Sequence, residues 1–170
     1  MPFIQRKGLV LAVDPDIDKS GLAVLNMAAR TLEVGNYRFP ELVDRIKELR
    51  EKTPEDERFT VIVEAGWLNK GNWHVTEGRN GKFSPQAWAA AVGVSQGENG
   101  ATSKLLIECL EHAGIPTIAK KPLRKCWKGP NGKITHAELL KECELYRINF
   151  KDKRTNQEER DSALLALVGI

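Results

Sequence analysis

Gly8-Leu9-Val10-Leu11-Ala12-Val13-Asp14 is the stretch on which the reading of the fold turns. Its first six residues are an apolar run of strand length, and the run stops on a carboxylate. Working outward, Gly21–Asn26 and Thr31–Tyr37 follow closely, with Asn, Ala and Arg between them. Together the three segments predict a three-strand antiparallel meander. Pro40 then opens a helical pattern that places Leu42, Val43, Ile46 and Leu49 on one face, and Thr53–Glu57 ends it. Thr60–Glu64 (TVIVE) is β-branched up to its final residue, again a carboxylate, and predicts a fourth strand.

Gly66–Lys82 is rich in Gly and Asn, carries Trp67, Trp73 and His74, and reads as a long functional loop. Ser84-Pro85 has the form of an N-cap followed by a proline in the first helical turn, which predicts a short helix to about Val92. A turn around Gly97–Gly100 leads into a second helix. Its stripe of Leu105, Leu106, Cys109, Leu110 and Ala113 predicts a core-facing side, and Gly114 closes it. Ile115–Ala119 predicts a fifth strand, Lys120–Lys133 a basic loop, and Thr135 or His136 the start of a helix to about Tyr146. Asn156 and Glu159 have capping-box spacing and open the last helix. With helical crossovers, the first, fourth and fifth strands run parallel. The expected architecture is a mixed, five-stranded α/β sheet with helices on both faces.

A chain of 170 residues that is 41% hydrophobic suits one domain, residues 1–170, with a full core. A net charge of +3 does not by itself imply nucleic acid, so the distribution of charge carries more information. Cys109, Cys126 and Cys143 form no CxxC or Cys/His cluster. Their odd number favours reduced thiols in a cytoplasmic protein over a disulfide frame or zinc site, with Cys109 in the core. The N-terminus lacks a signal-peptide pattern, and no segment approaches the roughly 20 apolar residues of a membrane span.

Asp14 and Glu64 end two strands expected to be parallel, so both emerge at one sheet edge, where open α/β sheets place their sites. Glu158 and Asp161, spaced i, i+3, share one face of the last helix in its first turns. Each feature alone has a plainer explanation: a polar strand end, or a solvated, dipole-favoured helix start. In combination they predict converging carboxylates. Such groups repel one another unless a cation neutralises them. Hard oxygen donors suit Mg²⁺ or Mn²⁺, and two such ions can support in-line phosphodiester displacement.

Asp14-Pro15 followed by Ser20-Gly21-Leu22-Ala23-Val24 resembles the opening motif of the RuvC family of Holliday-junction resolvases. Val61–Glu64 resembles that family's second acidic strand, and Glu158–Leu164 (EERDSAL) its closing helix. Their order and separation agree over nearly the whole chain. The resemblance implies an RNase H-like fold, a homodimer, and Mg²⁺-dependent paired nicking of branched DNA such as a four-way junction. It makes Asp14, Glu64, Glu158 and Asp161 the catalytic metal ligands, with two ions per active site. Trp67 falls where the family often has a phenylalanine that stacks at the junction centre; packing is the competing reading. Gly132–Leu139 resembles a stretch with a lysine near the family's active site, and His136 stands at that position. Departures are Asp16 for the usual Gly, read here as a turn residue, and Glu158 for the usual Asp.

Between His112 and Glu138 there is no acidic residue, while Lys120, Lys121, Arg124, Lys125, Lys128 and Lys133 fall there with Trp127 among them. This segment follows a strand expected beside the site, which predicts phosphate contact. Lys70, His74, Arg79 and Lys82 form a weaker second candidate. Rival functions are a non-catalytic nucleic-acid-binding protein on the same fold, an RNase H-like nuclease for RNA or RNA–DNA hybrid, and an actin-like phosphotransferase. The last generally needs two related lobes, and this chain supplies one.

Overall fold

A computed structural model describes residues 7–69 and 84–168. Strands β1 (Gly8–Asp14), β2 (Ser20–Asn26) and β3 (Thr31–Tyr37) form the expected antiparallel meander. Helix α1 (Phe39–Lys52) leads to β4 (Arg58–Glu64), and α2 (Pro85–His112) to β5 (Thr117–Lys120). Then come α3 (His136–Leu145), β6 (Asn149–Phe150) and α4 (Gln157–Val168). The sheet order is β5-β4-β1-β2-β3-β6, with β4 parallel to β1 and β5 parallel to β4. A meander joined to parallel strands in this order is the RNase H-like arrangement.

Among the described residues the sheet has six strands rather than five. Asn149 and Phe150 pair in parallel with Thr31 and Leu32, a contact too short to leave an alternating pattern in the sequence.

β1 lies at the centre of the sheet, and Val10–Val13 are fully buried. Its apolar run is continuous because both faces are covered. Val10 and Ala12 face α3 and α4, in a core with Leu139, Ala163 and Leu165. Leu11 and Val13 face α1 and α2, in a core with Leu42, Ile46, Leu106 and Leu110. One strand therefore anchors helices on both sides, and its last residue is held where both layers end.

Helix α2 is continuous, so the turn expected at Gly97–Gly100 is absent. Glycine there lowers helix propensity by about 1 kcal/mol per residue relative to alanine, which tertiary packing overrides. Thr102 Oγ1 donates to the Glu98 carbonyl across that very region (2.9 Å). The buried stripe is also rotated from the expected one. Thr102, Ser103, Leu106 and Leu110 are buried, whereas Leu105 and Cys109 are exposed. Ser103 Oγ donates to the Glu64 carbonyl (3.0 Å), a contact that turns Leu105 and Cys109 outward.

The caps predicted at Ser84 and Asn156 form, and Thr135 adds one that was not predicted. The Asn156 side chain accepts from Glu159 N, and the Glu159 carboxylate accepts from Asn156 N, both at 2.9 Å. Ser84 Oγ accepts from Ala87 N (3.2 Å), and Thr135 and Glu138 close a capping box on α3. Among the described residues no helix is long and apolar enough to cross a membrane.

Candidate metal centre

Parallel pairing of β1 and β4 sets Val13 beside Val63, so the next residues, Asp14 and Glu64, leave the sheet side by side. Helix α4 crosses β1 and β2 and brings its first turns to the same edge. Gly21 permits the approach, because a β-carbon there would lie 2.2 Å from the Glu158 carbonyl oxygen. Asp14, Glu64, Glu158 and Asp161 consequently line one open cleft of roughly 230 Å³. That exceeds several water volumes at about 30 Å³ each, room for hydrated cations and a phosphate group. Arg124, Lys125, Trp127 and Lys133 line it as well.

Electrostatics couple the acids. Burial pushes the Asp14 carboxyl well above the usual range, and repulsion from Glu64, Asp161 and Glu158 adds to it, with Lys133 opposing. Glu64 is raised by burial and by Asp161, and lowered by Lys133 and Lys125. Both oxygens of Asp161 have partners: Gln157 Nε2 donates to Oδ1 (2.7 Å), and Lys133 Nζ lies 3.2 Å from Oδ2. Among the described residues, no three His, Cys, Asp or Glu side chains are gathered as a ready metal cage. The donor set nevertheless fits a hard divalent cation. Four carboxylates share a cleft, and the burial and mutual repulsion that raise Asp14 and Glu64 are what a bound cation would relieve.

The other predicted residues separate into groups. Arg124 and Lys125 are exposed and line the cleft, beside half-buried Lys133. Lys121 and Lys128 are exposed outside its lining; the Lys128 amide donates to the Glu138 carboxylate (3.0 Å). Lys120 instead reaches the C-terminal end of α4, donating to the Val168 carbonyl (3.2 Å). His136 starts α3, where its Nδ1 shares a 2.8 Å hydrogen bond with Thr155 Oγ1 and its ring tilts against Phe150; it does not line the cleft. Trp67 sits half-buried in a 3-10 turn, Gly66–Leu68, with Lys104 Nζ 5.5 Å from its ring centroid. Lys70, Trp73, His74, Arg79 and Lys82 lie outside the described residues.

Asp16 forms a turn, its Oδ1 accepting from Asp18 N (2.9 Å), and also lines the cleft. Asn99 is a cleft-lining residue that the sequence reading does not single out. Its Oδ1 accepts from Ile17 N (3.2 Å), holding the loop after Asp14. Reading Gly97–Gly100 as a turn hid it. Gln157 is not singled out either, although its i, i+4 spacing from Asp161 is visible in the sequence.

No protein-family model matches the chain, and no curated protein matches it. Among solved structures, the chain is similar to Thermus thermophilus RuvC in complex with a Holliday junction substrate. The identity is 16%, with 94% of this chain and 90% of that one covered and a TM-score of 0.49. A second Thermus thermophilus RuvC structure gives 16% identity, 94% and 92% coverage, and a TM-score of 0.48.

Proposed function

We infer that this chain is a metal-dependent, structure-selective endodeoxyribonuclease that acts on branched DNA, with paired nicking of four-way junctions by a cytoplasmic homodimer as its activity. The observation that carries the reading is the convergence of Asp14, Glu64, Glu158 and Asp161, from three separate elements, on one cleft walled by Arg124 and Lys125. Acidic side chains in the floor have no use for a phosphate unless cations stand between them.

Mg²⁺, or Mn²⁺ in its place, held by these four carboxylates would supply an activated water and neutralise charge on the phosphate. The chain's own groups do the rest. Arg124 and Lys125 bind flanking phosphates at the cleft wall. Lys133 supplies a third cation in the cleft. Trp67, three residues beyond Glu64, offers an aromatic face to an unpaired base, with Lys104 above its ring. The paired nicking and the homodimer rest on the motif resemblance.

A cleavage panel tests the proposal: four-way junction, flap, fork, duplex and RNA–DNA hybrid, each with Mg²⁺, Mn²⁺ or EDTA. Junction cutting that needs metal and is abolished by Asp14→Asn and by Glu64→Gln, with junction binding retained, is expected. Wild-type cutting by both variants would sink the metal-centre assignment. Preferential cutting of the hybrid would move the substrate to RNA.

A further inference from the structure

The cleft contains a cation of the protein's own. Lys133 Nζ lies 3.2 Å from Asp161 Oδ2, with about a third of the lysine side chain exposed. The same ammonium acts on Asp14 and Glu64, opposing the effects of their burial and mutual repulsion. It pairs with Asp161 and lines the same cleft as the other three carboxylates.

Its placement is built into the fold. Lys133 ends a tight turn in which its carbonyl accepts from Gly129 N (2.9 Å) and its amide donates to the Pro130 carbonyl (3.1 Å). A β-carbon on Gly129 would lie 2.4 Å from that same Lys133 carbonyl oxygen. The next residue is tied to α4: Arg160 Nε donates to the Ile134 carbonyl (2.9 Å), and Arg160 Nη2 donates to Gln157 Oε1 (2.9 Å). Gln157 in turn donates to Asp161, closing a ring of contacts that returns to Lys133. His136, by contrast, is engaged with Thr155.

Resting on the metal-centre reading, we propose that Lys133 is an internal counter-ion that holds the carboxylates together in the metal-free protein and must leave Asp161 for a divalent cation to bind. One ammonium in the cleft balances part of the acidic charge while no metal is present. Metal held by Asp161 would displace the Lys133 ammonium from that pair and leave it free for a phosphate. The ammonium and the metal compete for the same oxygens, and like charges a few Å apart repel.

The test measures Mn²⁺ binding to the DNA-free protein by calorimetry, for wild type, Lys133→Gln, Lys133→Arg and Asp161→Asn. Lys133→Gln is expected to tighten Mn²⁺ binding by about tenfold, the scale of a charge removed at this distance in a partly screened site. Lys133→Arg keeps the charge and stays within about twofold of wild type on the same grounds. Asp161→Asn weakens binding. In EDTA, Lys133→Gln is expected to melt below wild type and to gain more from added Mn²⁺. Unchanged or weaker binding by Lys133→Gln overturns the proposal, as does equal tightening by Lys133→Arg. If wild type and Asp14→Asn bind Mn²⁺ equally poorly, the metal centre itself fails, a result distinct from failure of the lysine's role.

Discussion

Gly21 and Glu158 approach so closely that a β-carbon on the glycine would stand 2.2 Å from the glutamate's carbonyl oxygen. The obstacle is backbone, so it cannot swing aside as a side chain could. This contact seats the first turn of α4 on β2, and with it the distance of Glu158 and Asp161 from Asp14. Gly21→Ala is therefore expected to destabilise the protein by about 1–3 kcal/mol, as overpacking does, and to weaken Mn²⁺ binding. At about 2–4 °C per kcal/mol for a chain of this size, the loss is measurable in a thermal melt. Gly66→Ala, where a β-carbon meets nothing within 4 Å, is the control and should melt like wild type.

The raised carboxyls make metal-free stability depend on pH. Asp14 and Glu64 hold protons more tightly folded than unfolded, so the folded state binds more protons as pH falls. The stability contributed by these two groups is greatest below the ordinary carboxylate pKa, about 4, and is lost as pH rises through their raised folded values. In EDTA, Asp14→Asn should melt above wild type at pH 7–8, and the gap should close as pH is lowered toward about 4. A gap that persists unchanged at acid pH would mean that the charge is not its cause. Added Mn²⁺ should narrow the gap from the other side, by stabilising wild type.

The basic segment should divide by function. Arg124→Gln and Lys125→Gln are each expected to weaken junction binding and to lower the salt slope by about one, as loss of a phosphate contact does. Lys120→Gln removes a donor to the Val168 carbonyl at the end of α4 and should show mainly in the melt, with the salt slope retained. Titrations at three salt concentrations distinguish the two behaviours. Equal slopes for all three variants and wild type would remove the cleft wall from the DNA interface.

If the proposed function holds, the selectivity for branched DNA is expected to depend on Trp67. Trp67→Ala is expected to lower cleavage of a four-way junction more than it lowers affinity for linear duplex, since stacking contributes about 1–3 kcal/mol per base and needs an unpaired partner. Equal losses on both substrates would assign the ring to packing beneath Lys104.

Much of the architecture was legible because periodicity follows burial. The unbroken apolar run of β1 is the mark of a strand covered on two sides, and the caps at Ser84 and Asn156 are local chemistry that needs only neighbouring residues. Local signals failed where packing outweighed propensity. The glycines at 97 and 100 indicated a turn, yet α2 runs through them because its far half is held to the sheet and to the Glu64 carbonyl. Strand β6 is two residues long and exists only because β3 offers it an edge.

By itself the sequence determined that Asp14 and Glu64 end strands, that Glu158 and Asp161 share a helical face, and that cations gather between Lys120 and Lys133. Each of these is set by spacing along the chain. Only the tertiary structure decided which cations meet the acids. Lys120 turned to a helix end, His136 to Thr155, and Lys133 into the carboxylates, in each case by the way distant elements dock. A side chain's charge is fixed by its identity, but its partner is fixed by the packing of elements far apart in sequence.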